Sequence, residues 1–122
     1  MIHAESNFQQ SIVKKLRYAG FLVFSVPNGQ RLSLRRAALA KAEGLLAGVS
    51  DLIVVLPNKV YFCEVKTPLG NGHQSHAQRE FEEQVRAYGH EYLLWDMWPK
   101  VDYFIEEHKD EVGNYLAVGG TK

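Results

Sequence analysis

Gly48-Val-Ser-Asp-Leu-Ile-Val-Val-Leu-Pro-Asn-Lys-Val-Tyr-Phe-Cys-Glu-Val-Lys66 holds two apolar runs, Leu52–Leu56 and Val60–Val65, on either side of Pro57-Asn58. Two runs of strand length flanking a Pro-Asn corner read as a β-hairpin. With Pro57 and Asn58 as the two loop residues, Leu56 pairs with Lys59, Val55 with Val60, and Asp51 falls opposite Glu64. Side chains alternate along a strand and directly paired residues share a face, so Asp51, Glu64 and Lys66 converge at the end remote from the turn. Two carboxylates facing each other across a ladder repel. A hard cation between them relieves that repulsion, and a one-residue slip of the turn would put Asp51 on the wrong face. A rim salt bridge with Lys66 is the plainer alternative.

Working outward, the 122 residues suit one domain with a single core, and 46% apolar with 23% charged residues is an ordinary soluble globular composition. No apolar run has transmembrane length and no signal-peptide pattern opens the chain, so an intracellular, cytoplasmic setting without membrane attachment is expected. Cys63, the single cysteine, rules out an internal disulfide and suits a reducing compartment. Formal net charge is zero, so bulk charge does not advertise nucleic-acid binding. Charge is nevertheless segregated. Arg31, Arg35, Arg36 and Lys41 make one segment basic, while Asp102, Glu106, Glu107, Asp110 and Glu111 make the C-terminal region acidic. A local basic patch can meet phosphates at zero net charge, although solvated helix faces also account for both runs.

Residues 4–19 are expected to form an amphipathic helix with Phe8, Ile12, Leu16 and Ala19 inward, ended by Gly20. Glu5 lies nearly in line with Ile12 and Leu16, and Gln9 close to that line, which aims a carboxylate at the interior or its rim. A first-turn acid favoured by the helix dipole explains Glu5 as well. Residues 21–26 read as a short buried strand ended by Pro27-Asn28-Gly29. Ser33 is the expected N-cap of a second helix with Leu34, Ala37, Ala38 and Ala42 on one side, and Gly44 its stop. Gly48 would let the backbone turn tightly just before Asp51. After the hairpin the chain turns at Pro68, and Ser75-His-Ala-Gln78 fits a capping box. The third helix has Ala77, Phe81, Val85 and Tyr88 on its core face, and Tyr92–Trp95 follows as a strand. Pro99 opens a short last helix bearing Val101, Phe104 and Ile105. The pattern fades near Gly113, which gives a domain over residues 1–112 and an expected mobile tail over 113–122. The order α-β-α-β-β-α-β-α implies an α/β fold with a central mixed sheet flanked by helices.

Asp51, Glu64 and Glu5 offer the oxygen ligands that Mg²⁺ or Mn²⁺ prefers, and such an ion is commonly held by one or two carboxylates plus substrate phosphate. Lys66 on the same face could orient an attacking water or offset charge on a phosphorane-like transition state. Together these parts describe metal-assisted phosphodiester hydrolysis.

Asp51 followed by Glu64-Val65-Lys66 resembles the D…ExK core of the PD-(D/E)XK nucleases, with Ser50 where the motif has proline. The wider string resembles the virus-type replication-repair nuclease (VRR-NUC) family. The matching pieces are Glu5, Pro27-Asn28-Gly29, Lys41-Ala-Glu-Gly44, Gly48-Val-Ser-Asp51-Leu-Ile-Val, Glu64-Val-Lys66-Thr-Pro and Ser75-x-x-Gln78-x-x-Phe81, over about residues 5–95. The resemblance implies a restriction-endonuclease-like fold and a Mg²⁺-dependent DNA endonuclease, with Mn²⁺ also supporting activity. Glu5, Asp51, Glu64 and the Val65 carbonyl would be its metal ligands, Lys66 the catalytic lysine and Gln78 an active-site glutamine. It further implies a homodimer that cuts branched DNA such as Holliday junctions, in DNA repair or replication and a phage or bacterial context. A restriction-type or flap endonuclease, or a non-catalytic DNA-binding module, are the alternatives. Arg31, Arg35, Arg36 and Lys41 could track DNA, with Asn28, Gly29 and Gln30 as an approaching loop and His73 and His76 at the entrance. A zinc site from Cys63, His73 and His76 lacks a fourth ligand, and Cys63 should face away from Glu64. Trp95 and Trp98 read as core or dimer-interface residues, and Asp96 as a turn or capping residue.

Overall fold

The two strands of the hairpin, β2 (Leu52–Leu56) and β3 (Lys59–Val65), pair antiparallel in the expected register, from Leu56 opposite Lys59 to Leu52 opposite Cys63. Pro57 fixes one corner of the turn, and Asn58 takes a left-handed φ of 69°, which asparagine tolerates. The computed structural model describes residues 4–27, 32–67 and 73–119, with side chains to residue 112. On one side of β2 lies the antiparallel β1 (Leu22–Ser25), and on the other side of β3 lies the parallel β4 (Glu91–Trp95). The sheet is therefore mixed, ordered β1-β2-β3-β4, with α3 (His76–Ala87) crossing between its parallel strands.

One sheet face carries Val23, Leu52, Val54, Leu56, Tyr61, Cys63, Val65 and Trp95, and packs against Phe8, Ile12 and Leu16 of α1 (Ala4–Tyr18). Val101 and Phe104 of α4 (Trp98–Gly119) complete this core, with Phe104 against Tyr61 and Trp95 at ring separations of 5.0 and 5.4 Å. Trp95 is thus a core residue, and Trp98 packs edge-on to Phe8 at its margin. The other face presents Phe62 and Tyr92 to Phe81 of α3.

Several elements differ from the sequence pattern in instructive ways. The β1 strand is buried on one side only: Val23 is inside, while Leu22 and Phe24 are 59% and 43% exposed. The small helix α2 (Leu34–Ala42), capped by Ser33 as expected, buries no residue, and Leu34 is 91% exposed. An apolar stripe reports a preference for burial, but only a neighbouring element can satisfy it. Tyr88 is exposed because it is the C-cap of α3, beyond the last turn that faces the sheet. The last helix is long, running through Gly113 to Gly119. A lone interior glycine costs about 1 kcal/mol relative to alanine and does not by itself end a helix. Among the described residues no helix is long and apolar enough to cross a membrane.

Candidate active site at the end of the hairpin

Asp51 stands one residue before β2, and Glu64 and Lys66 stand at the end of β3, so the register places all of them at one end of the sheet. Upstream, Ser50 is buried and its hydroxyl donates to the Leu52 carbonyl at 3.3 Å, holding the turn that presents Asp51. One Asp51 oxygen, Oδ2, accepts the Val65 backbone N–H at 2.8 Å. That bond ties the carboxylate to the adjacent strand and fixes its direction. Glu64 is 1% exposed. Its Oε2 accepts from Gln78 Nε2 at 2.7 Å and lies 3.5 Å from Lys66 Nζ, whereas its Oε1 has no hydrogen-bond partner among the described residues.

Burial raises the Glu64 carboxyl well above the usual carboxylate range, the nearby Asp51 charge raises it further, and the Lys66 ammonium opposes both. Glu5, half-buried at the start of α1, is raised by the same causes in the same order, burial first and then Asp51, with Lys66 pulling the other way. Glu5 is therefore within electrostatic reach of the pair. Even so, among the described residues no three His, Cys, Asp or Glu side chains gather closely enough to form a metal group by themselves.

Lys66 is 8% exposed and its ammonium has three acceptors around it: Gln78 Oε1 at 3.1 Å, the His73 carbonyl at 3.2 Å and Glu64 Oε2 at 3.5 Å. Three donors meeting three acceptors leave little freedom of aim. Gln78 is the hinge of this network. As the last member of the capping box it accepts from the Ser75 backbone N–H at 2.8 Å through Oε1, while the Ser75 hydroxyl accepts the Gln78 N–H. The same amide joins Glu64 to Lys66, so the cap and the site share one side chain.

Gly48 sets where that helix can sit. Its φ is +89°, and a Cβ built there would lie 2.2 Å from the Ala77 carbonyl oxygen and 2.9 Å from the Gln78 nitrogen. Only a residue without a side chain permits this approach of the Asp51 loop to the first turn of α3.

The other expected site residues are dispersed. Arg35, Arg36 and Lys41 lie exposed on α2. His76 is exposed and pairs with Glu80 along its own helix at 3.2 Å, and His73 contributes its backbone carbonyl to Lys66 while its ring is exposed. Asn28, Gln30 and Arg31, like Pro68, fall outside the described residues. Cys63 is fully buried in the core on the side of β3 opposite Glu64, as expected. Asp96 pairs with Lys100 at 2.9 Å and does not join the acidic pair. Sequence reasoning missed Ser75 and the His73 carbonyl as parts of the site. A capping box closing a short loop after ExK was the available signal for Ser75; a backbone carbonyl has none.

No family model and no curated protein matches the chain. Among solved structures, one described as a VRR_NUC domain is 25% identical, covers 84% of this chain and 95% of its own, and superposes with a TM-score of 0.61. Another, described as a VRR_NUC domain protein, is 20% identical with a TM-score of 0.67 and covers 90% of this chain and 88% of its own. At that identity the second likeness speaks for the fold.

Proposed function

Because the chain belongs to the VRR-NUC family and has its PD-(D/E)XK-like fold, we propose that it is a Mg²⁺- or Mn²⁺-dependent DNA endonuclease acting on branched substrates such as Holliday junctions. The observation that carries this reading is the buried Glu64 carboxylate, with Oε1 unpartnered and Asp51 as its charged neighbour. A buried carboxylate oxygen without a donor is costly, and a hard divalent cation is the partner that suits two carboxylates. Asp51, Glu64 and the Val65 carbonyl would hold it, with Glu5 reaching it directly or through water. When bound, such an ion polarises the scissile phosphate and favours hydroxide over water. Lys66, aimed by Gln78 and the His73 carbonyl, orients the attacking water and offsets negative charge growing on the phosphate oxygens.

A homodimer fits this activity, since C2 symmetry supplies two sites for paired cuts. Leu22 and Phe24 on β1, Leu34 and Leu39 on α2, and Leu46 beyond it are all exposed, and a second copy of the chain would cover them.

The test is to incubate purified protein with Mg²⁺ or Mn²⁺ and labelled linear duplex, flap and four-way junction, beside Asp51→Asn and Lys66→Ala. Metal-dependent cutting by the parent, lost in both variants, is expected. No cleavage in either metal with DNA binding retained would leave a binding module in place of an enzyme. Linear duplex cut as fast as junctions would remove the structure preference alone.

A further inference from the structure

A groove of about 910 Å³ runs along α1 beside the β1 edge, lined among others by Glu5, Gln9, Gln10, Lys14, Arg17 and Ser25. One end opens at Glu5 and Ser25, and the next residue, Val26, donates its backbone N–H to the Asp51 carbonyl at 3.0 Å; the other end carries the two cations. Glu5 to Arg17 spans about 18 Å of helix at the usual rise. That matches the axial rise of about five nucleotides of a B-form strand.

Its cations are available. Among the described residues no carboxylate pairs with Lys14 or Arg17. Arg17 donates from one nitrogen to the Val23 carbonyl at 3.1 Å, which fixes its guanidinium against the strand while leaving further N–H groups for a ligand. Lys15, next in sequence, turns to the opposite flank of α1, where it pairs with Asp102 and lies over Trp98. Helical periodicity thus sorts two adjacent lysines: one packs α4 in place, the other lines the groove.

We propose that this groove is the track of the DNA strand leading into the Glu5–Asp51–Glu64 site, with Lys14 and Arg17 contacting phosphates and Gln9 and Gln10 hydrogen-bonding the backbone. The proposal rests on the nuclease reading and names the surface by which that activity would hold its substrate. It differs from the basic residues of α2, which lie on an element that packs no side chain into the core.

Equilibrium binding of labelled duplex by Asp51→Asn protein, in chelator and over a series of salt concentrations, tests it. Taking one cation away from a phosphate should lower the slope of log affinity against log salt by about 0.9. Lys14→Gln and Arg17→Gln should each remove roughly one such unit, the double variant roughly two, and Lys15→Gln none. Because Arg17 also holds a backbone carbonyl, the exposed Lys14 is the decisive single change. An unchanged slope in Lys14→Gln, or an equal fall in Lys15→Gln, overturns the groove while leaving the nuclease reading standing. Asp51→Asn protein that binds no DNA in chelator, beside a parent that cuts DNA in Mn²⁺, overturns the groove alone; a parent that neither binds nor cuts DNA in Mn²⁺ overturns both.

Discussion

Glu64 and Lys66 are both buried, and each limits what can be done to the other. Lys66 donates to the Gln78 amide oxygen and the His73 carbonyl, and removing it leaves those acceptors unpaired, at about 1–3 kcal/mol for each that stays buried. Lys66→Ala is therefore expected to lower stability by a few kcal/mol as well as to slow cleavage at least about 100-fold. Denaturant melts run beside the cleavage assay separate the two effects, and cleavage should stay lost under conditions where the variant is fully folded. Acidity acts on the same residue. Folding raises the Glu64 carboxyl above its ordinary value of 4.5, so the folded chain keeps a proton that the unfolded chain has released. Stability in chelator is then full below that ordinary value and falls as pH rises through the folded one. Glu5 adds to this in the same direction. Melting temperature should thus decline from about pH 5 to about pH 8 without metal, and Mn²⁺ should restore it at the upper end, since an ion that binds only the folded chain stabilises it. Glu64→Gln, which keeps the shape and removes the charge, should flatten the decline. A parent whose melting temperature rises over that range would contradict the burial of this carboxylate. At this scale the convergence of Asp51, Glu64 and Lys66 was legible in the sequence, because the hairpin register carries it, whereas Gln78 was singled out only by the family resemblance. Their partners were less so. Nothing in a sequence marks the His73 carbonyl as the third acceptor of Lys66.

At the scale of elements, the hairpin was readable because a two-residue turn and two apolar runs leave one register that buries the right face. The first turn of α3 was readable as a capping box, but not as a wall of the site, since that depends on Gly48 reaching it from another segment. Gly48→Ala should push the Ala77 carbonyl away and take Gln78 with it. The expected result is reduced stability together with a fall in turnover at saturating DNA, measured against parent protein at equal folded fraction. Ser75→Ala should cost about 1 kcal/mol through removal of the N-cap and lower turnover as Gln78 is freed from its anchor, whereas Ser75→Thr should preserve both. A Ser75→Ala protein less stable but equally fast would show that Gln78 needs no help from the cap. The fate of α2 was illegible for the opposite reason. Its leucines and alanines have helical spacing, yet no described element closes over them.

For the whole molecule, zero net charge conceals a division of labour among cations. Lys15 and Lys100 hold helices through Asp102 and Asp96, and Lys66 belongs to the site. Fold class and element order followed from alternation of strand and helix patterns; assembly does not follow from them, because it depends on surfaces. Mass measurement in solution should give twice the 13.9 kDa of one chain. Phe24→Glu should shift it to one chain while the circular dichroism spectrum is kept, because that side chain is outside the core. A monomeric parent would remove the paired-cut geometry but not the single site. The sharing of Gln78 between helix cap and candidate site has a kinetic corollary. Fraying of the first turn of α3 also breaks the bonds of Gln78 to Glu64 and Lys66, so under the proposed function opening of that turn would switch the site off. The Gln78 backbone amide should then exchange its hydrogen more slowly when Mn²⁺ is added, while amides at the far end of the same helix, near Ala87, keep their rates.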